Sequence, residues 1–287
     1  MKMMKISSAA NDMCKKTLAL HRRRNRREQG LFLLEGFGGI QDALKGTWEP
    51  VYFMVDEAFV LREENSALLR EFEKLRTPGY EIPTHLMKRL TDTEHPQGVL
   101  AVFRQPGHRV EQLLESPHGF WLMLDRIQDP GNLGTLIRSA EAAGLTGVLL
   151  THGSTDPYSP KALRAATGAV LHLPVIELTE KDSDGASLKK AGFCLAGATL
   201  EGGSSCYEQL YQKPLVLVIG NEANGIGDEL MQQLDQRVTI PMKGTLQSLN
   251  AAIAGSILMF HLARELDHPA VKSPAVKSPC NPCEPVV

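Results

Sequence analysis

Membrane-length apolar runs, an even set of cysteines and the common nucleotide-loop signatures are all missing from this chain. No segment approaches the ~18 consecutive apolar residues of a membrane-spanning helix, and the polar, basic first thirty residues carry no signal-peptide core. A cytoplasmic protein is therefore expected. The five cysteines (Cys14, Cys194, Cys206, Cys280, Cys283) are odd in number and scattered, which argues against a disulfide framework and fits a reducing compartment. Cys280 and Cys283 form a lone C-x-x-C pair with no second ligand pair, and neither H-E-x-x-H nor G-x-S-x-G occurs, so no metal is expected. The dinucleotide fingerprint G-x-G-x-x-G is absent too. Gly131 and Gly134 supply only G-x-x-G, which speaks against a nicotinamide-dependent oxidoreductase. Gly220 and Gly225 mimic the ends of a P-loop, yet Ile226-Gly227 stand where Lys and Ser/Thr are required, so nucleotide hydrolysis is excluded as well.

What the chain does have is core and a lopsided charge. At 287 residues and 43% hydrophobic content it can bury two ordinary domains. Net charge is −2, but residues 1–30 hold nine Lys/Arg against Asp12 and Glu28. A helix is expected from Asn11 to Arg27, ending in the basic run His21–Arg27. Strands at Leu31–Leu34, Val51–Val55, "YEIP" and Gly98–Phe103, with a helix at Ala67–Leu75, make a small α/β unit. "RQPGHRV" (Arg104–Val110) marks a junction, giving a first domain over 1–105 and a second over 106–268. In the second, the apolar runs "FWLML", "GVLL", "AVLHLPV", "FCLAGA", "LVLVIG" and "VTIP" are spaced by helix-length segments. That pattern predicts a mainly parallel sheet with helices on both faces. The last helix, opening at Ser248, places Leu249, Ile253, Ile257, Leu258 and His261 at core spacing. Residues 269–287 repeat Ala-Val-Lys-Ser-Pro and hold five prolines, a composition expected to be disordered.

Ligands in such sheets sit beyond the carboxyl ends of the strands. Three loops occupy that position. "LDRIQDPGNLGTLIRSAEAAG" (Leu124–Gly144) carries Asn132 and Arg138, with Gly134 and Arg138 on one helix face. "GNEANGIG" (Gly220–Gly227) carries Glu222. "IPMKGTLQSLN" (Ile240–Asn250) carries Ser248, a candidate N-cap, and Asn250. Each residue alone reads as ordinary loop architecture; convergence of Asn132, Arg138, Glu222, Ser248 and Asn250 at one sheet end would make a site.

Those three segments, in this order and spacing, resemble the three motifs of the SpoU branch of the SPOUT methyltransferases, over roughly residues 118–267. The preceding hundred residues, opening with "LALHRRRNRREQGLFLLEG", resemble that family's L30e-like substrate-binding domain. The resemblance implies a trefoil-knotted α/β domain, S-adenosyl-L-methionine as cofactor, a homodimer, and methylation of an RNA ribose 2′-hydroxyl, ribosomal RNA ahead of tRNA. It implies cofactor contacts at Gly220, Ile240 and Leu249, and at Thr199 in "GATLEGG", together with catalytic roles for Asn132, Arg138, Glu222, Ser248 and Asn250. Where the family usually follows Ser-Leu-Asn with Val-Ser, this chain has Ala251-Ala252. Arg22, Arg23, Arg26 and Arg27 are the expected RNA-binding residues. A non-catalytic RNA-binding module of the same fold is the remaining rival. The partner face is expected on the small residues of the last helix, Ala252 and Gly255 among them.

Overall fold

The computed structural model describes residues 3–91, 93–108, 110–114, 118–183, 185–246 and 248–267. The proline-rich stretch 269–287, with Cys280 and Cys283, lies outside the described residues. Two sheets carry the fold. The first has β1 (Met4–Lys5), β2 (Leu31–Glu35), β3 (Pro50–Asp56), β4 (Gly79–Ile82) and β5 (Val99–Arg104) in the order β1-β4-β3-β5-β2. β5 runs antiparallel to both β3 and β2, whereas β1, β4 and β3 are mutually parallel. The second has β6 (Phe120–Leu124), β7 (Gly147–Leu150), β8 (Val175–Glu177), β9 (Cys194–Ala198), β10 (Ser204–Ser205), β11 (Leu215–Ile219) and β12 (Gln236–Thr239). Its order is β10-β12-β9-β11-β6-β7-β8, parallel throughout. β6 and β11 are buried along their whole length, as strands covered on both faces must be.

Two expectations need correction. The apolar run "AVLHLPV" is a strand only from Val175. Before it, Gly168 turns left-handed (φ 88°) into a 3₁₀ turn over Ala169–Leu171. Val170, Leu171 and Leu173 are buried in the core shared by both sheets, and Trp48 Nε1 donates to the Leu171 carbonyl at 2.9 Å. Likewise the basic helix is two helices, Asp12–Ala19 and Arg23–Gln29. The break is held by tertiary bonds: Asn25 Nδ2 to Ala19 O at 2.8 Å, Arg26 Nη1 to Leu20 O at 2.6 Å, and a 2.7 Å bond joining His21 Nε2 to Leu90 O. No Gly or Pro announces it.

The sheets share one continuous core, in which the Phe32 and Tyr158 rings meet at a tilt, 5.0 Å between centroids. Across the same seam Arg26, only 2% exposed, gives Nε and Nη2 to Asp156 Oδ2 at 2.8 and 2.5 Å.

Candidate active site

Because every strand of the second sheet is parallel, the segments after β6, β9, β11 and β12 emerge from one edge. The loop after β6 begins with Asp125, buried, whose carboxylate accepts from Thr151 Oγ1 at 2.9 Å and from Gly227 N at 2.8 Å. It thereby ties the ends of β6 and β7 to the loop after β11. Arg126 beside it adopts φ 53°, a left-handed conformation unusual outside glycine, and salt-bridges Asp125 at 3.1 Å. Sequence reasoning missed both residues. The available signal was a carboxylate ending a wholly apolar strand.

Asp129 then starts the Pro130–Ala142 helix: Oδ1 accepts from Asn132 N at 2.9 Å, and Pro130 occupies the first turn. The Lys161 ammonium, 2.9 Å from Oδ2, together with that N–H, holds the Asp129 carboxyl below its ordinary value. One turn into the helix, Gly134 lets the Pro160–Ala166 helix pack against it. A Cβ there would stand 2.5 Å from Ala162 O and 2.6 Å from Ala165 Cβ. Arg138, exposed, reaches the end of that second helix, where Nη1 donates to Thr167 Oγ1 at 3.3 Å. Thr167 is itself left-handed (φ 49°), an outlier for a β-branched residue and a second one at this edge.

The loop after β11 folds on itself through Asn221, whose Oδ1 accepts from Ala223 N and Asn224 N while Nδ2 donates to Arg126 O at 2.8 Å. Gly220 has no room for a side chain, since a Cβ would collide with the Gly225–Ile226 peptide. This folding presents Glu222, whose Oε1 accepts from Asn132 Nδ2 at 2.9 Å. Asn250 completes the cluster: Nδ2 donates to Asn132 Oδ1 at 3.2 Å. Three predicted residues from three distant segments thus form one chain of amides and a carboxylate, Asn250–Asn132–Glu222.

Two others do not join it. Arg138 contacts Thr167, not Glu222. Ser248 is exposed and makes no hydrogen bond with a described residue. The N-cap expected of Ser248 belongs to Asn250, whose Oδ1 accepts from Ala252 N at 2.9 Å and Ile253 N at 3.3 Å, so the last helix runs Ala251–Asp267.

The expected cofactor positions line the same edge. The described residues of 241–249 make no backbone hydrogen bond with any described residue, leaving their N–H and C=O groups for a ligand. Ile240 precedes this open stretch and Leu249 ends it, both half-buried. Thr199 Oγ1 is buried without a partner among the described residues, and a Cβ at Gly203 would stand 2.8 Å from it. Backbone groups, a glycine that cannot be replaced and an orphaned hydroxyl fit a ligand held chiefly by main chain. Among the described residues no cluster of His, Cys, Asp or Glu could hold a metal ion.

The basic helix was expected to face RNA with four arginines. Arg22 is exposed. Arg26, however, is the buried partner of Asp156 and unavailable to phosphate. Arg23 and Arg27 both reach Glu177, at 3.4 and 3.3 Å, and Arg23 Nη1 also donates to Ser154 O at 2.9 Å. They join the sheets as well as facing solvent.

Comparison with known proteins agrees with this fold. The SpoU rRNA Methylase family matches residues 119–260, and the MRM3-like substrate binding domain matches residues 11–101. The chain is 32% identical over 260 residues to 23S rRNA (guanosine(2553)-2′-O)-methyltransferase RlmP of Bacillus subtilis, covering 91% of this chain and 99% of that protein. It is 30% identical to human mitochondrial rRNA methyltransferase 3, over 84% of this chain and 69% of that one. The AdoMet-bound rRNA methyltransferase of Sinorhizobium meliloti superposes with a TM-score of 0.82 at 29% identity, covering 92% of this chain and 98% of the other. With matched segments and fold in agreement, the chain belongs to the SpoU methylase family of SPOUT α/β proteins, with an MRM3-like substrate-binding domain before it.

Proposed function

We propose that this protein methylates a ribose 2′-hydroxyl of ribosomal RNA, using S-adenosylmethionine. The observation that carries the reading is the meeting of Asn132, Glu222 and Asn250 at the edge where the open 241–249 backbone also lies. Ribosomal RNA is preferred to tRNA because relatives matched over nearly their full length are named for it. The cofactor supplies an electrophilic methyl group to the 2′-oxygen when both are bound. Gly220, Ile240, Leu249 and Thr199 would hold it.

The chain's own residues supply position and charge. A guanidinium keeps its proton and is a poor base, so Arg138 orients the phosphate and hydroxyl of the target nucleotide. Its bond to Thr167 is long, leaving its remaining N–H donors for RNA. Asn132, fixed at both ends of its amide by Asn250 and Glu222, holds the ribose edge of the site. Fixed orientation of two reactants is worth on the order of 7–11 kcal/mol. Ser248, exposed and without a hydrogen bond to any described residue, would contact either ligand. Transfer of tritiated methyl to bulk ribosomal RNA tests the reading. Wild type should label it, whereas a chain that binds S-adenosylmethionine but labels no RNA would reveal a binding module of the same fold.

Assembly follows as part of this reading. On the last helix the face of Ala252 and Gly255 is buried within the subunit, Gly255 against Leu136, so it cannot be the partner face. Ile253, Ile257 and Phe260 are exposed on the other side, at 53%, 38% and 53%. We place a two-fold dimer on that apolar face, the trefoil knot in the segments following β11 and β12, and the domain junction at 105/106. No described helix is long and apolar enough to cross a membrane, and a cytoplasmic location accords with the proposed action on ribosomal RNA.

A further inference from the structure

Between the two sheets lies a cleft of 370 Å³ that the proposed reaction does not use. Leu33, Leu34 and Leu163 form its apolar floor, and Glu35, Asp42 and Arg164 stand on it. Thr167, the partner of Arg138, lines the same cleft, which therefore opens one side chain away from the candidate catalytic arginine. Its volume falls in the ~300–1,000 Å³ range of small-ligand sites.

The chemistry of the walls selects an occupant. Two carboxylates, Glu35 and Asp42, repel phosphate from the interior, while exposed Arg164 can meet a phosphate at the mouth. An apolar floor suits the face of an aromatic ring. Glu35 Oε1 already accepts from Thr93 Oγ1 at 2.8 Å, whereas Oε2 has no partner among the described residues. Burial pushes the Glu35 carboxyl up, a sign that water does not fully solvate it. An acceptor in that state calls for a ligand with donors. Unstacked bases of single-stranded RNA are read on their Watson–Crick edges. Guanine alone among the four presents two adjacent donors there, N1–H and the 2-amino group. Adenine and cytosine offer one amine beside an acceptor, and uracil one N–H between two carbonyls.

We infer that this cleft receives an unpaired guanine flanking the methylated ribose, with Glu35 accepting hydrogen bonds from its Watson–Crick edge. The inference rests on the RNA-methyltransferase reading, and the contact makes Glu35 a specificity determinant and not a catalytic residue. Two variants separate it from folding effects. Glu35→Gln keeps shape and an acceptor for Thr93 but loses the carboxylate. Gly38→Phe fills the cleft from a position where a Cβ meets nothing within 4 Å. The full chain is titrated with 5′-GMP, 5′-IMP, 5′-AMP, 5′-CMP and 5′-UMP, following backbone amide shifts by NMR. GMP should perturb Glu35, Gly38 and Leu163. IMP, lacking the 2-amino group, should bind about tenfold more weakly, as expected for the loss of one arm of a bidentate pair. Glu35→Gln should erase the preference for GMP, and Gly38→Phe should block every nucleotide. Both variants should bind S-adenosylmethionine as wild type does. On bulk ribosomal RNA, Glu35→Gln should raise KM about tenfold with kcat nearly unchanged. Equal binding of all five nucleotides, or GMP binding indifferent to both substitutions, overturns the inference while leaving the methyltransferase reading intact. Failure of the wild-type chain to methylate RNA strikes that reading instead, and the GMP titration still reads the cleft.

Discussion

Asn250 uses the two ends of one amide for two tasks: Oδ1 caps the last helix and Nδ2 anchors Asn132. These can be separated. Asn250→Asp keeps the capping oxygen but loses the donor and sets a second carboxylate near Glu222, so it should preserve the melting temperature and lose methyl transfer. Asn250→Ala should lose activity and also about 1 kcal/mol of stability, the usual worth of an N-cap. Equal activity in both variants and wild type would show that the amide chain is architecture only. Arg138→Ala should abolish transfer with cofactor affinity nearly unchanged, measured by calorimetry with S-adenosylmethionine; a parallel loss of both would contradict its positioning role. Asp129 gives a pH signature. Its folded carboxyl titrates below the ~3.9 of an unfolded aspartate, so its stabilisation is full above that value and is lost as pH falls through the lowered one. Asp129→Asn should flatten that part of the acid limb in melting temperature against pH. The convergence of Asn132, Glu222 and Asn250 was legible from the order and spacing of the three loops, whereas Arg138 and Ser248, expected there too, do not join that cluster. Asp125, Arg126 and Thr167 were not legible, because their importance lies in backbone angle and long-range bonds that spacing does not encode.

At the scale of elements, the last helix shows why periodicity identifies a buried element but not its neighbours. A helix apolar nearly all round must be covered all round. Small residues looked suited to a partner subunit, yet Gly255 faces Leu136 and Ile219 inside the chain, and Ser256 shares a 2.7 Å hydrogen bond with Ser139 of the Pro130–Ala142 helix. Ile253 and Ile257, expected in the core, are exposed instead. The parallel sheet was legible because its strands are apolar along their length. The failed strand "AVLHLPV" was equally apolar, but its first half is a 3₁₀ turn held partly by Trp48 of the other domain, which a local pattern cannot reveal. Gly255→Ala should cost about 1–3 kcal/mol through overpacking against Leu136 while the dimer persists. Ile257→Glu should fold as stably as wild type but sediment as a monomer and lose activity. A fully active monomeric wild type would refute the dimer, and an unaltered dimer in Ile257→Glu would move its interface elsewhere.

At the scale of the whole molecule, the cluster that composition marks as an RNA face is largely the bolt between two sheets. A buried ion pair is weak evidence of net stability, but breaking it leaves its partner charged and unpaired, at a cost of about 3–5 kcal/mol. Arg26 meets Asp156 130 residues away, so nothing in "HRRRNRR" distinguishes it from its neighbours. Neutralising all four arginines together would therefore mix loss of RNA binding with loss of the domain arrangement that aligns the substrate domain with Arg138. The two contributions come apart by position. Arg22→Gln should leave denaturant stability unchanged and reduce the salt slope of RNA binding by about one phosphate contact. Arg26→Ala should lower stability by several kcal/mol, and the Arg26→Ala/Asp156→Ala double variant should recover part of that loss, since it removes the stranded carboxylate. If instead Arg26→Ala is as stable as wild type and flattens the salt slope as Arg22→Gln does, the residue faces RNA after all and the bolt between the sheets is elsewhere.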